Sequence, residues 1–296
     1  MTTLRENPSI LLAEAESWVE TVWHAASARW SGRSGQDKSY RSHVILPAVA
    51  DIVRELYGDR RLRTLDMGCG DGILLEDSRT VDFTLSLGVY LGVDINPELI
   101  ERARLRHQGE HIRFLHGDLT DSGLARRIAR FSAVWDIILS IFVVQEIPDI
   151  AAFLRTLEHV LGQDSRAVLV TVHPEFAEWL NAQGHVKIEG RLGGAGGNDS
   201  PPWRWAGLYP IVDEPGEPFH LPHFHRTVED YRALCRRWGL IVEEIRELPD
   251  RHHSLPQLVA EGRSPFAPFP TNVYWPRIGE SPSAVALIIR KETHGG

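Results

Sequence analysis

The stretch Leu65-Asp66-Met67-Gly68-Cys69-Gly70-Asp71-Gly72 decides the fold of this chain. It follows a short apolar-rich run and precedes Ile73-Leu74-Leu75-Glu76, which predicts the start of a helix. A strand, a glycine turn and a helix start are typical of a nucleotide-binding crossover, because glycines let the backbone approach a ligand closely. A dinucleotide fingerprint would need glycine at position 73, where Ile73 stands, so the pattern D-x-G-x-G-x-G favours another nucleotide. A glycine-rich turn without a ligand is the alternative.

The chain on either side of this turn predicts an α/β protein. Five strands are expected at 61–67, 90–94, 112–116, 135–141 and 167–172, separated by helices at 73–85, 97–107, 124–131 and 150–161. Near-continuous apolar runs such as Ile137-Ile138-Leu139 suit parallel strands that helices cover on both faces. A helix at 227–238 and two later strands, at 240–246 and 284–289, complete a seven-stranded, doubly wound and mostly parallel sheet.

The domain division follows from where this alternation begins and stops. Helices are predicted at 8–30 and 43–57, so residues 1–58 are expected to form a helical N-terminal lid or cap. Residues 59–296 are expected to form the nucleotide-binding domain. Two proline- and aromatic-rich insertions, 174–224 after the fifth strand and 249–283 after the sixth, are expected to build a pocket. Insertions of this size are equally compatible with a homodimer interface.

Composition narrows the class of protein. The 296 residues are 43% hydrophobic and 24% charged, as in an ordinary globular protein, and the net charge of −8 argues against a nucleic-acid partner. Two cysteines, one of them in the glycine turn, indicate a reducing interior rather than a disulfide framework. The N-terminus lacks the features of a signal peptide, and no apolar run approaches the roughly 20 residues that span a membrane. We expect a soluble, cytoplasmic protein without a membrane partner.

Polar residues stand at the ends of the later strands as well. Asp94-Ile95-Asn96 ends the second strand 22 positions after Gly72, near the spacing at which a carboxylate accepts hydrogen bonds from ribose hydroxyls. A helix N-cap is the alternative role for this segment. His116-Gly117-Asp118-Leu119 closes the third strand, and the fourth ends in Ser140-Ile141. All of these segments fall at carboxyl ends of parallel strands, where open α/β sheets bind ligands.

Together these segments resemble, in order and placement, four motifs of the class I S-adenosylmethionine (SAM)-dependent methyltransferases of the small-molecule type. The resemblance spans residues 62–172, although the interval from Gly72 to Tyr90 is slightly long for the family. It implies SAM as cofactor and S-adenosylhomocysteine (SAH) as product. The residues that it implies in cofactor binding are Asp66, Gly68, Cys69, Gly70, Gly72, Asp94, Ile95, Asn96, Asp118, Leu119, Ser140, Ile141, Tyr40 and Arg41.

Several of these residues take individual roles from the resemblance. Asp94 would bind the ribose, Asp118 and the backbone N–H of Leu119 the adenine, and Ser140 with Ile141 would lie beside the sulfonium. Tyr40 and Arg41 belong to the N-terminal lid, and Arg41 would pair with the methionine carboxylate. An exposed helix start is the alternative for these last two.

Histidines are concentrated in Phe219-His220-Leu221-Pro222-His223-Phe224-His225-Arg226. Pro222 and the mixed spacing fit no common ligand pattern, so we predict no metal site. An inert surface loop is a second interpretation. A third rests on the resemblance, since residues 225–231 are similar to a segment that places a histidine at the mouth of the acceptor pocket in related enzymes. On that basis His225 is the first candidate for a general base or acceptor-binding residue, followed by His223 and His173.

The sequence therefore predicts a SAM-dependent methyltransferase that acts on a small-molecule acceptor, with O- or N-methylation favoured. Methyl transfer is an in-line displacement, and the protein mainly has to hold the acceptor and the methyl group close and aligned. A protein or RNA methyltransferase is one alternative. A protein with the SAM fold but without methyl transfer, such as a lyase, a cyclase or a binding scaffold, is the other.

Overall fold

The computed structural model describes residues 8–33, 41, 45–75, 87–191, 203–211, 219–248 and 282–293. The helices are α1 (Pro8–Arg33), α2 (Leu46–Tyr57), α3 (Pro97–Arg106), α4 (Leu124–Ile128), α5 (Ile150–Val160), α6 (Pro174–Ala182) and α7 (Val228–Arg237). The strands are β1 (Leu62–Met67), β2 (Leu87–Asp94), β3 (Ile112–His116), β4 (Trp135–Ile141), β5 (Leu161–Val172), β6 (Lys187–Arg191), β7 (Trp205–Ile211), β8 (Phe219–His225), β9 (Leu240–Leu248) and β10 (Ala284–Lys291).

Seven strands form one sheet in the order β3-β2-β1-β4-β5-β10-β9. The pairs β1–β2, β1–β4, β2–β3 and β4–β5 are parallel, whereas β10 runs antiparallel to both β5 and β9. The predicted seven-stranded, mostly parallel sheet is confirmed. The strand order reverses around β1, whose neighbours are β2 on one side and β4 on the other, and such a reversal opens a crevice at the carboxyl ends of the strands.

The central strands are buried on both faces, as their apolar runs predict. Ile137 and Leu139 of β4 pack into one hydrophobic cluster and Ile138 into another, and all three are fully buried. Residues of α2 and α3 complete the first cluster, and residues of α4, α5 and α7 complete the second. Helices on both sides explain why these strands are not alternately polar and apolar.

The first insertion contains a second sheet, which the sequence patterns do not predict. Strands β6, β7 and β8 pair antiparallel in that order, preceded by helix α6. Pro210 and Pro222 lie within β7 and β8, and proline removes a backbone donor, so neither segment has a typical strand pattern. The second insertion, except for residues 282 and 283, lies outside the described residues, as does the predicted helix beyond residue 75.

One buried arginine connects the second sheet to the end of β4. Arg226 follows β8 and is 2% exposed. Its guanidinium donates hydrogen bonds to the carbonyl oxygens of Val144 (3.1 Å), Ile147 (2.7 Å) and Pro148 (3.1 Å). A rigid planar fork of donors suits such a set of acceptors, so Arg226 fixes the path of residues 144–148.

We expect Arg226→Lys to lower the free energy of unfolding by about 2–4 kcal/mol, because a lysine ammonium cannot reach all three carbonyls and leaves buried acceptors unsatisfied. Urea denaturation would measure this loss. The control is Arg204→Lys, since Arg204 is largely exposed and pairs with Asp230 at 2.8 Å, a surface ion pair whose loss costs about 1 kcal/mol or less. Equal losses in the two variants would contradict the role assigned to Arg226.

Candidate active site

The glycine turn after β1 is attached to the end of β2 by backbone hydrogen bonds. The N–H groups of Gly68 and Cys69 both donate to the carbonyl oxygen of Val93, at 2.7 and 3.0 Å. Gly68, Gly70 and Gly72 have φ angles of +87°, +57° and +85°. These are left-handed conformations that side chains disfavour, so the spacing of the three glycines is a requirement of the turn itself.

Gly68 also lies against the segment after β4. A Cβ atom at position 68 would lie 2.3 Å from Cγ2 of Val143, far inside van der Waals contact. Val143 is β-branched and therefore stiff, so it has little freedom to move aside. The glycine thus brings the turn after β1 and the segment after β4 together.

The carboxylate of Asp94 is oriented from two sides. Its Oδ2 accepts a hydrogen bond from Gly70 N and its Oδ1 accepts one from Asn96 N, both at 2.8 Å. Each oxygen keeps a further lone pair, so the group can accept two more hydrogen bonds. Burial raises the pKa of Asp94, while the two backbone hydrogen bonds oppose the rise. The two lone pairs that remain free to accept hydrogen bonds therefore have a fixed direction, because the backbone N–H groups of Gly70 and Asn96 hold the carboxylate in place.

Asp66 is buried beneath the turn. Its Oδ2 accepts a hydrogen bond from the Tyr90 hydroxyl at 2.6 Å. Burial raises the pKa of Asp66 to about 7, although the hydrogen bond from Tyr90 acts in the opposite direction. The charge of Asp94 adds to the rise, and that of Arg41 reduces it.

The ends of β3 and β4 supply the next walls. Asp118 is exposed, and its Oδ1 accepts hydrogen bonds from the backbone N–H of Thr120 at 2.8 Å and from its hydroxyl at 2.7 Å. After β4, Phe142 has a φ angle of +57°, an uncommon conformation for a residue with a side chain. Such outliers concentrate at functional sites.

A cavity of about 450 Å³ lies between these strand ends and helix α1. Ten of the predicted cofactor residues line it: Arg41, Asp66, Gly68, Cys69, Gly70, Asp94, Ile95, Asp118, Leu119 and Ile141. Gly72, Asn96 and Ser140 are not among the lining residues. Asn96 instead caps α3 by accepting hydrogen bonds from Glu98 N and Leu99 N. Ser140 is fully buried on β4, and Tyr40 lies outside the described residues.

The cavity also contains a carboxyl group that was not among the predicted site residues. Glu146 lines the cavity, is 9% exposed and accepts a hydrogen bond from Trp23 Nε1 of α1 at 2.9 Å. Burial raises the pKa of Glu146 well above its ordinary value; the charge of Asp94 adds to the rise, while the Trp23 hydrogen bond opposes it. The sequence signal was present in Glu146-Ile147-Pro148-Asp149, but the contact with Trp23 spans 123 residues and no local pattern predicts it.

The three histidines predicted as catalytic do not line this cavity. The ring of His225 stacks on Trp205, with centroids 4.8 Å apart, and its Nε2 lies 3.0 Å from Oε1 of Glu178. His223 is buried beside Tyr209, and His173 caps α6 by accepting a hydrogen bond from Glu175 N. Burial lowers the pKa of His225 to about 4 and that of His223 well below its ordinary value. These positions indicate packing and helix capping, and the catalytic role of the histidines stays a prediction.

In the described ranges, no three His, Cys, Asp or Glu side chains are grouped as metal ligands would be. None of the described helices combines the length and the apolar character needed to cross a membrane.

Comparison with known proteins identifies the family. Residues 39–245 match the methyltransferase domain family, which is more than half of the chain, so the chain belongs to that family. This confirms the class predicted from the glycine turn and the strand ends, a class I SAM-dependent methyltransferase, and with it the enzyme class and the cofactor SAM.

Curated relatives are more distant. A ubiquinone biosynthesis O-methyltransferase from Xylella fastidiosa is 26% identical over 140 residues, which cover 47% of this chain and 54% of the relative. A protein of the same name from Sinorhizobium medicae is 26% identical over 159 residues, covering 50% and 60%. The chain thus spans little more than half the length of these relatives.

Solved structures share the fold. A Haloferax volcanii methyltransferase, solved in complex with the Trm112 methyltransferase activator, has a TM-score of 0.59 and 17% identity, covering 94% of this chain and 99% of that chain. A SAM-dependent methyltransferase from Mesorhizobium loti has a TM-score of 0.51 and 20% identity, covering 83% and 100%. At these identities the likeness shows a common fold.

We expect Gly68→Ala to destabilise the protein by about 2–4 kcal/mol, because it adds a collision with Val143 to the cost of a left-handed residue with a side chain. Gly239→Ala is the control, since Gly239 also has a positive φ (+64°) but nothing lies within 4 Å of an added Cβ. Thermal or urea unfolding of both variants isolates the collision. A loss at position 68 no larger than at position 239 would contradict the close approach.

A second expectation concerns pH. The unfolded chain loses the Asp66 proton near pH 3.8 and the folded protein near pH 7, so between these values the folded state binds more protons. The free energy of unfolding should therefore fall as the pH rises from 4 to 7, by up to about 4 kcal/mol from this group, and then level off.

Asp66→Asn should remove this contribution while keeping an acceptor for Tyr90. Urea unfolding at pH 4.5, 6 and 8 would compare the variant with the parent protein and with Asp59→Asn at an exposed position. The proposed burial of the Asp66 proton would be wrong if Asp66→Asn and Asp59→Asn had the same pH dependence.

Proposed function

We propose that this protein transfers the methyl group of SAM to a small-molecule acceptor bound in the cavity above β1 and β4. The observation that carries the proposal is the Asp94 carboxylate, which Gly70 N and Asn96 N hold with two acceptor positions still open. A pair of ribose hydroxyls supplies two donors at adjacent positions, so the fixed carboxylate suits a ribose. SAM supplies a methyl group on a positively charged sulfur, which makes the methyl reactive toward a nucleophile.

The remaining cofactor contacts follow the walls of the cavity. Gly68, Cys69 and Gly70 offer a backbone surface without bulky side chains, close to which a nucleoside can lie. Asp118 and Leu119, at the end of β3, are suited to the adenine. Arg41 faces the cavity beside Asp66 and is the residue that we assign to the methionine carboxylate. These residues would bind and orient the cofactor.

The other side of the cavity would receive the acceptor. It is formed by α1 and by the segment after β4, and most of its lining is apolar, including Val19, Trp23, Phe142 and Ile147. About 450 Å³ is within the usual range of small-molecule sites, roughly 300–1,000 Å³. A confined and largely apolar space supports a small molecule over an RNA or a protein segment.

Helix α1 connects the predicted N-terminal lid to the proposed site. Six residues of this helix between Ala13 and Trp23 line the cavity, as do Arg41 and Leu46, which supports a covering role for residues 1–58 over a SAM-binding domain of residues 59–296. No described residue of the insertion 174–224 lines the cavity. We therefore assign the acceptor pocket to the N-terminal segment and the β4 end, rather than to the first insertion.

Both oxygen and nitrogen acceptors are compatible with this site. The names of the curated relatives describe O-methylation in ubiquinone biosynthesis for those proteins. An oxygen or nitrogen nucleophile needs an available lone pair, so the acceptor must lose a proton if it binds as a hydroxyl or an ammonium.

The proposed function is tested by binding. Isothermal titration calorimetry should detect SAM and SAH but not NAD⁺, which has a second nucleotide that the spacing of this turn does not serve. A protein that binds neither SAM nor SAH would contradict the proposal at its first step.

Asp94→Ala should weaken the binding of both SAM and SAH at least about 100-fold, because two charge-assisted hydrogen bonds contribute roughly 1.5–3 kcal/mol each. The two ligands should be affected alike, since both carry the ribose. Asp121→Ala is the control, because Asp121 is an exposed aspartate that also accepts a backbone hydrogen bond and does not line the cavity. Unchanged affinity in a folded Asp94→Ala protein would refute the ribose assignment.

A further inference from the structure

The charge of the cavity wall is unbalanced. Six carboxyl groups line the cavity: Glu16, Glu20, Asp66, Asp94, Asp118 and Glu146. Among the described lining residues, Arg41 is the only basic side chain. Burial raises the pKa of Glu16, Asp66, Asp94 and Glu146, so a cation in this confined space would stabilise their ionised forms, whereas an anion would be repelled.

Three of these carboxyl groups serve the cofactor side. Asp66 is bound by the Tyr90 hydroxyl, Asp94 by two backbone N–H groups, and Asp118 by Thr120. The proposed function assigns Arg41 to the carboxylate of the cofactor. Of the remaining three, Glu146 is bound by Trp23 of α1, Glu20 belongs to the same helix, and Glu16 has a pKa that burial raises and the nearby charge of Asp118 raises further.

Among Glu16, Glu20 and Glu146, the side chain of Glu146 is the most deeply buried and is held by a hydrogen bond. It is nine-tenths buried, and one of its oxygens accepts the hydrogen bond from Trp23 Nε1. Burying a carboxylate is costly unless a positive partner compensates it, and although the charge of Arg41 acts to lower the pKa of Glu146, burial outweighs it and the pKa stays raised. A ligand cation beside Glu146 would supply that compensation.

Aromatic surface lies next to this carboxyl group. Trp23 and Phe142 both line the cavity, and the indole of Trp23 is in direct contact with Glu146 through its N–H. An ammonium group is attracted both to a carboxylate and to the face of an aromatic ring. The apolar residues around them suit a hydrocarbon body attached to such a group.

Resting on the proposed function, we infer that the methyl acceptor is a primary or secondary amine on an apolar body, which binds as the ammonium ion with its nitrogen directed to Glu146. The substrate class is thus a small organic amine, and the reaction is N-methylation. A phenolate or a carboxylated acceptor would add a further negative charge to a cavity that six carboxyl groups already line.

The proposed reaction needs only the ammonium ion, SAM and the carboxylate of Glu146. The ammonium N–H bond breaks and its proton passes to the Glu146 carboxylate, which leaves a lone pair on nitrogen. That lone pair forms the new N–CH₃ bond as the S–CH₃ bond breaks, and the bonding electrons remain on sulfur. The products are the N-methylammonium ion, neutral SAH and one proton, which leaves Glu146 for solvent. The raised pKa of Glu146, caused chiefly by burial, suits a group that accepts this proton.

The test uses matched probes and the full chain saturated with SAH. Benzylamine is compared with benzyl alcohol, phenethylamine with 2-phenylethanol, and catechol is added as a phenolic probe, all at pH 7.5 by calorimetry. In at least one pair we expect the amine to bind at least tenfold more tightly than its alcohol and than catechol. Equal or tighter binding of the alcohols or catechol, or no binding by any probe, would overturn the inference.

Two variants locate the effect. Glu146→Gln should reduce the preference for the amine to about twofold or less while SAH affinity stays near the parental value. Glu110→Gln makes the same change of net charge at an exposed position and should leave the preference intact. An amine preference that survives in Glu146→Gln would show that Glu146 is not the binding group.

The remaining outcomes are also decisive. If Glu146→Gln does not fold or does not bind SAH, Trp23→Phe keeps a ring but removes the N–H donor, and should lower amine affinity at least threefold with SAH affinity unchanged. An unchanged amine affinity in Trp23→Phe would then count against the inference. Absence of SAH binding to the parent protein refutes the proposed function itself, whereas SAH binding without amine preference refutes only the amine inference.

Discussion

The carbonyl oxygen of Val93 and the carboxylate of Asp94 together hold the glycine turn on the end of β2. Val93 accepts from Gly68 and Cys69, and Asp94 accepts from Gly70, so three successive N–H groups of the turn are satisfied by two neighbouring residues. This arrangement requires left-handed backbone in the turn and therefore glycine. It also brings the acidic end of β2 beside the open end of β1, which makes the floor of the cavity.

The parts of the fold that depend on local pattern were predictable. Strands β3 and β4 have the predicted limits. For β4 the reason is its continuous apolar run, which identifies a strand covered on both faces. The helix predicted from residue 227 begins with a capping box, in which Thr227 and Asp230 form reciprocal hydrogen bonds of 2.8 and 3.2 Å. The second sheet was missed, since prolines within β7 and β8 hide a pairing that only tertiary contacts reveal.

The candidate site likewise has residues that local sequence patterns predict and residues that only tertiary contacts bring together. Its strand-end residues were predictable because the carboxyl ends of parallel strands must meet at one edge of a sheet, and nine of the twelve cofactor residues predicted there line the cavity. The histidine-rich strand was harder to interpret, because its residues face an aromatic cluster around Trp205 instead of the cavity. In the segment similar to other methyltransferases, it is the neighbouring Arg226 that reaches the loop with Glu146.

The two sides of the cavity therefore depend on different parts of the chain. Apart from Arg41, the cofactor side rests on hydrogen bonds between adjacent strand ends, which form whenever the sheet forms. The acceptor side needs Arg226 to fix the loop after β4 and Trp23 of α1 to orient Glu146, and both are contacts between segments far apart in sequence. Displacement of α1 would break the hydrogen bond to Glu146 and remove Glu16 and Glu20 from the wall, yet leave Asp94 bound by Gly70 and Asn96. Acceptor recognition is accordingly coupled to the position of α1, whereas the ribose-binding carboxylate is not.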